Sequence, residues 1–298
     1  MTMTGNADLP PLARAASDAS VAAQQKYVRG TLGYLALLVA AAVFGAARYQ
    51  VNGAGLDYAA TAALVCFGVA AMFAGFLAAT RPDRTWYDGR AAAESVKTLA
   101  WRYAVGGSPF PISTSGRPTD EVFVERLNGV IKALTYVTIG GGPAEPQITP
   151  WMRVCRLGTL VERRRLYEEG RIKDQQAWYS SRATWNEGRA SLFAWTGLGL
   201  TVIGFLLALS RVIGFLDVDL LGIVSASAAA LAAWLQVKQH DGLARAYSVA
   251  AQELGTIRSL IDSRETESDW ALFVDSAEDA VSREHTMWLA SRGLFRMR

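Results

Sequence analysis

Charge is missing from four stretches of this 298-residue chain. No Lys, Arg, Asp, Glu or His falls in Thr31–Ala47, Tyr58–Thr80, Ala190–Ser210 or Leu220–Val237, although 19% of the residues are charged. A helix crossing a hydrocarbon layer roughly 30 Å thick needs about 18 or more such residues. The competing reading, buried core hairpins of a soluble bundle, would need four uncharged runs of this length in one soluble domain.

Cysteine and histidine are scarce too, with two of each. Cys66 falls inside the second run and Cys155 in a charged segment, which argues against a disulfide and fits a reducing compartment. His240 and His285 make no metal-ligand spacing with them. A net charge of +3 is too small for a nucleic-acid-binding surface. Gly140-Gly141-Gly142 has no Gly-Lys-Ser/Thr after it, so it reads as a loop rather than a phosphate cradle. Ser282-Arg283-Glu284-His285 brings Ser282 and His285 together on a helix, without an orienting partner or nucleophile motif. No catalytic residue, metal or cofactor is expected, and no enzyme. Spans without ionisable groups also argue against proton-coupled transport and voltage sensing, which need buried charge.

What is present sets a topology. Of the 30 Lys and Arg, Arg48 alone lies between the first two runs and Arg211 alone between the last two. The rest lie in the N-terminal arm, the central segment and the C-terminal segment, which an even number of spans places on one side. The basic bias makes that side the cytoplasm. A retained signal anchor is expected rather than a signal peptide cleaved near Ala47. Two short connections remain outside, with Asn52-Gly53-Ala54-Gly55 in one and Asp217 and Asp219 in the other. Tyr34, Trp195 and Trp234 mark inner ends; Tyr49, Tyr58 and Phe215 mark outer ones. The fold class is an all-α membrane protein: four transmembrane helices as two hairpins with a cytoplasmic helical bundle.

The hairpins look like repeats. Gln24-Gln25-Lys26-Tyr27 precedes the first and Gln175-Gln176-Ala177-Trp178-Tyr179 the second; helical stretches around Glu94 and Glu253 follow them. The expected organisation is a disordered arm over 1–20, a first membrane domain with its cytoplasmic helix over 21–108, a linker with one helix over 109–148, and a second membrane domain over 149–298.

Helical punctuation is readable between the spans. Pro82 ends the second span near Thr80, and Val96, Leu99, Ala100 and Tyr103 recur at helical spacing up to Gly106-Gly107-Ser108-Pro109. Thr119 or Asp120 caps a helix carrying Phe123, Leu127, Val130, Ile131 and Leu134. Thr149-Pro150 starts another, and the charged segment to Arg189 is helical with an interruption at Gly170. The fourth span is expected to continue to about Ser263 as one rod near 65 Å, at 1.5 Å per residue. A last helix covers Glu267 to about Ser291, with Trp270, Phe273, Val274, Ala277, Val281 and Trp288 on it.

Small residues recur every fourth position within the spans. Ala62, Cys66, Ala70, Ala74 and Ala78 form one stripe. Gly222, Ala226 and Ala230 with Ser225, Ala229 and Ala233 form another, and Gly197, Thr201, Gly204 and Ala208 a third. Such faces let helices approach closely, within the chain or between copies. If a pore exists, the fourth span with Ser225 and Ser227 lines it; Ala229, Gly222, Gly197 and Thr201 complete the candidate packing set. Arg163-Arg164-Arg165, interleaved with Glu162, Glu168, Glu169 and Asp174, reads either as a solvated salt-bridged face or as a cytoplasmic ligand or partner surface.

Three stretches carry a family likeness. They are Trp86-Tyr87-Asp88-Gly89-Arg90-Ala91-Ala92-Ala93-Glu94-Ser95-Val96-Lys97-Thr98-Leu99-Ala100-Trp101-Arg102-Tyr103 with Pro109-Phe110, Arg171-Ile172-Lys173-Asp174-Gln175-Gln176-Ala177-Trp178-Tyr179, and Ser282-Arg283-Glu284-His285-Thr286-Met287-Trp288. Through them the chain resembles the SLATT family, bacterial two-span membrane effector domains associated with nucleotide-signalling conflict systems, as a tandem over most of residues 20–295. The resemblance implies an oligomer in the bacterial inner membrane that perforates the bilayer when a nucleotide sensor or synthase signals infection. The alternative is a non-conducting scaffold or sensor whose cytoplasmic bundle binds a partner.

Overall fold

The computed structural model describes residues 8–47, 57–112, 118–137, 145–215 and 220–291, with side chains to Ser282. The expected outer turns with Tyr49, Asn52-Gly53-Ala54-Gly55, Asp217 and Asp219, the Gly140-Gly141-Gly142 loop, and the side chains of His285 and Trp288 lie outside that set. Among the described residues, ten α-helices and one π-helical turn run in order: α1 (Pro11–Ala46), α2 (Tyr58–Thr80), α3 (Pro82–Val105), α4 (Thr119–Ala133), α5 (Pro150–Arg156), α6 (Leu160–Tyr167), the π-turn (Glu168–Lys173), α7 (Asp174–Val212), α8 (Leu220–Lys238), α9 (His240–Ser259) and α10 (Glu267–Ser291). They form two compact units, one from Gln24–Pro82 and Trp185–Leu243, the other from the remaining chain.

The first of these, the apolar unit, holds all four uncharged runs. The most apolar stretches of α7 and α8 are 0% buried. In water such surface would collapse inward, so its exposure identifies lipid as the solvent. A Cβ at Gly30 or Gly33 of α1 would meet Leu77 or Phe73 of α2, and one at Gly197 or Gly204 of α7 would meet Leu231 or Val224 of α8. Rising numbers face falling ones, so both pairs are antiparallel. The contact row of α2 is Ala59, Ala63, Cys66, Ala70 and Leu77, all buried or half-buried, while Ala74 and Ala78 of the expected stripe are exposed. The seam alternates steps of four and three, as for two helices crossing at a shallow angle.

Within the spans, hydroxyls satisfy themselves on their own helices. Thr201 donates to the Gly197 carbonyl at 2.9 Å and Ser227 to Ile223 at 2.8 Å. Asp57 caps α2 by accepting from the N–H groups of Ala59 and Ala60. Each returning helix then stops at a non-glycine residue with positive φ: Arg81 (41°) after α2 and Gln239 (50°) after α8. The expected 65 Å rod is therefore two helices, α8 and α9. The Gln239 N–H still reaches Leu235 and its carbonyl accepts from Leu243, so the ladder bends there without being abandoned. The matching break at Arg81 gives both halves the same backbone plan.

The polar unit begins earlier than expected. Helix α1 starts at Pro11, inside the segment read as a disordered arm, because Leu9, Leu12, Ala13, Ala16 and Ser20 form a buried stripe. Ser20 donates to the Trp86 carbonyl at 3.0 Å, and the Leu12 N–H donates to Gln147. Thr149 caps α5 and Thr159 forms a capping box with Glu162 on α6. Neither Thr119 nor Asp120 caps α4; its N-cap is Pro118, without a side-chain bond, and Phe123 and Leu127 are its buried residues. Asp120 instead accepts from the Tyr103 hydroxyl at 2.6 Å and from Arg153 at 2.8 Å.

The core of this unit is aromatic. Trp101 meets Trp151 and Tyr167 edge-on with centroids 5.2 and 5.9 Å apart, and Tyr167 meets Trp270 at 5.7 Å. Such pairs contribute roughly 0.5–1.5 kcal/mol each beyond their buried area. The end of α3 is inserted among them. Its Val105 carbonyl accepts from Trp270 Nε1 and Arg163 Nη1, both at 2.7 Å. Gly106 turns the chain with φ 79°, and the Gly107 N–H closes back on Arg102.

A Cβ at Gly107 would come within 2.4 Å of Val274, whereas one at Gly129 of α4 meets nothing within 4 Å. Gly107→Ala should therefore destabilise the protein by about 1–3 kcal/mol through overpacking. Gly129→Ala should stabilise it by about 0.5–1 kcal/mol through helix propensity. Chemical unfolding in detergent checks both signs.

Candidate functional site

At the centre of the polar unit lies a charge pair with no access to water. Arg171, on the π-turn, and Glu278, on α10, are both 0% exposed. Arg171 donates through Nε to Glu278 Oε1 at 2.9 Å and through Nη2 to Oε2 at 2.7 Å. Tyr167 donates to Oε1 at 3.0 Å and Thr98 of α3 to Oε2 at 2.8 Å. The carboxylate thus accepts four hydrogen bonds, the complement its two oxygens can take.

Tyr167 and Arg171 stand four residues apart, a spacing that sets two side chains on one helix face, and both reach one carboxylate. The helix is widened into a π-turn from Glu168 to Lys173. The Gly170 interruption read from the sequence is this widened turn. Its residue is glycine because a Cβ there would lie 3.0 Å from the Trp101 ring. Burial works against the Arg171 charge, but the Glu278 carboxylate more than offsets it, so the guanidinium titrates above its ordinary range. Burial, then the Glu278 charge, raises the Tyr167 hydroxyl well above its usual value. Lys97, beside Thr98, is shifted down by burial and by the Arg171 charge.

Thr98 also opens onto a cavity of about 670 Å³ between α3, α4 and α10. Arg102, Arg126, Asp88, Glu125 and Asp279 line it. Arg102 is ion-paired to Asp275 at 3.0 Å and to Asp279 at 2.6 Å. The volume suits a small ligand or a partner side chain, and its wall leads through one hydroxyl to the buried pair.

The residues singled out from the sequence separate in space. Gly222, Ser225 and Ala229 lie exposed along one face of α8, whereas Ser227 is half-buried. Gly197 faces Leu231 within the α7–α8 pair, and Thr201 is exposed on α7. The three arginines do not form one surface. Arg163 is 2% exposed, donating to the Val105 and Gly158 carbonyls and pairing with Glu267. Arg164 reaches the Asp262 carbonyl at 3.2 Å, and exposed Arg165 pairs with Glu169. Arg163 is therefore a structural cation; the helix turns its neighbours elsewhere. Sequence reasoning named Arg171 only within a family-likeness stretch and passed over Glu278, whose signal was a charge where the apolar spacing of Trp270, Val274 and Val281 calls for a core residue.

Comparison with known families matches the chain twice. Residues 10–164 match the SMODS and SLOG-associating 2TM effector domain 3, and residues 167–288 match the SMODS and SLOG-associating 2TM effector domain 1. No curated protein and no solved structure matches. The chain belongs to the SLATT family, as a tandem of two domains that meet at the head of the π-turn.

Removing one member of the buried pair leaves the other uncompensated. Glu278→Leu and Arg171→Met should each cost about 3–5 kcal/mol, and the double variant should recover part of that loss in the same unfolding assay. Burial also raises Tyr103, to about 12. In the unfolded chain both tyrosines ionise near their ordinary value of 10.0. A raised folded-state value gives stability that is intact below pH 10 and declines as pH rises beyond it. Tyr103→Phe and Tyr167→Phe should flatten the alkaline side of the stability–pH curve, leaving its slope at pH 6–9 unchanged.

Proposed function

We propose that this tandem SLATT chain is an oligomeric effector of the bacterial inner membrane that perturbs the bilayer on a cytoplasmic cue. The observation supporting this most is the exposed row Ser225, Ala229 and Ala232 on α8, turned away from the Leu231 and Val224 side that meets Gly197 and Gly204 of α7. Lipid tails supply no hydrophobic force between helices, so association depends on close approach and hydrogen bonds, which small and hydroxylated residues permit. Another copy of α8 fits such a face, and a ring of copies would gather the Ser225 hydroxyls around a path water can wet.

The basic bias supports cytoplasmic termini and a cytoplasmic polar unit. The family description, which associates these domains with SMODS and SLOG proteins, supports a nucleotide synthase or sensor as partner. Antiviral defence is the role this reading implies; no catalytic step or cofactor is part of it. The cavity beside Thr98 favours a second reading, a non-conducting scaffold or sensor that binds its partner there.

Membrane potential in cells expressing the protein under activating conditions separates the two. The effector should depolarise the membrane, and Ser225→Leu with Ala229→Leu should abolish depolarisation while membrane insertion persists. An undisturbed potential with wild-type protein in the membrane would overturn the effector reading.

A further inference from the structure

One end of the α7–α8 pair carries two cations that form no ion pair among the described residues. The Arg189 guanidinium lies 5.4 Å from the Trp185 ring centroid, and the Lys238 ammonium 4.9 Å from that of Trp234. Both exert their charge on the ring of His240. That ring is buried and fixed, with Nδ1 2.7 Å from Asn186 Oδ1, an edge-on contact to Trp185 and a stacked one to Phe193. The His240–Asn186 bond locks α7 to the residues that follow Lys238, which holds the two cations at a common end of the pair.

Beyond Arg189 the same exposed face of α7 continues through Leu192, Thr196 and Gly199. Nothing lies within 4 Å of a Cβ built at Gly199. The uncompensated charge therefore opens onto an apolar track with a shallow floor.

We propose that Arg189 and Lys238, framed by Trp185 and Trp234, bind the headgroup phosphate of an anionic phospholipid whose acyl chain runs along Leu192, Thr196 and Gly199. Basic side chains at the membrane surface attract anionic headgroups over a short screened range. Indoles settle at headgroup depth because one edge is polar and the face is not. Their faces also hold the two cations in place by cation–π attraction without neutralising them. A zwitterionic lipid brings its own cation and forfeits most of this attraction. A free phosphate has nothing to place on the apolar track.

Native mass spectrometry of the full chain in detergent, with phosphatidylglycerol, phosphatidylcholine or inorganic phosphate added, tests the site. Phosphatidylglycerol should remain bound under activation that strips phosphatidylcholine, and phosphate should not compete. Arg189→Gln with Lys238→Gln should weaken retention by about 10-fold or more. Arg153→Gln with Arg165→Gln, which removes as much charge from the polar unit, should leave it unchanged. Because the Gln pair could unfold the site, Arg189→Lys with Lys238→Arg is the companion variant and should keep the selectivity. Equal retention of the two lipids, full retention by the Gln pair, loss in the charge-conserving Lys/Arg pair, or displacement by phosphate would each overturn the proposal.

Discussion

Arg171 and Glu278 are held away from water at the meeting point of α3, the π-turn and α10, and the arrangement of the polar unit follows from satisfying them. Burying two charges costs several kcal/mol per ion, and their attraction offsets this only with near-complete hydrogen bonding. The fourth bond to the carboxylate comes from Thr98. Thr98 belongs to the first matched domain and the other three residues to the second. The tandem halves are therefore not two separate beads: their polar parts share one core, closed by Trp101, Tyr167 and Trp270. The π-turn carries Arg171 within this core and sets Gly170 against the Trp101 ring.

Two solvents divide the chain. In the apolar unit every backbone group must be satisfied within its own helix, and the hydroxyls of Thr201 and Ser227 follow suit. Packing there relies on glycine and alanine seams because lipid gives apolar contacts no advantage. In the polar unit the hydrophobic effect operates, and large aromatics rather than small residues fill the core. The two returning helices break at Arg81 and Gln239, each in a left-handed conformation costing about 1–2 kcal/mol for a residue with a Cβ. Recurrence of that cost at equivalent points of both halves indicates a shared plan that local propensity does not supply.

The four uncharged runs, the cap at Thr149, the stop at Gly106 and the last helix from Glu267 were legible in the sequence because each rests on local chemistry. Span length, caps, prolines and helical periodicity are properties of neighbouring residues. The arginine run shows the limit of this reading. Arg163, Arg164 and Arg165 look equivalent along the chain, yet they point in three directions, and only packing against Val105 and Glu267 makes Arg163 a core residue. The arm failed for a related reason. Its alanines carry little hydrophobic weight singly, and their stripe matters only once the rest of the polar unit is there to cover it.

The sequence by itself thus determined that the chain crosses a membrane on four helices, because hydrocarbon tolerates no charge over that length. The tertiary structure alone decided which small residues are spent inside the antiparallel pairs and which remain exposed on α8. It alone decided that Arg171 and Glu278, 107 positions apart, share one dry site. Exposure and charge pairing depend on what lies across a contact, and no local pattern records that.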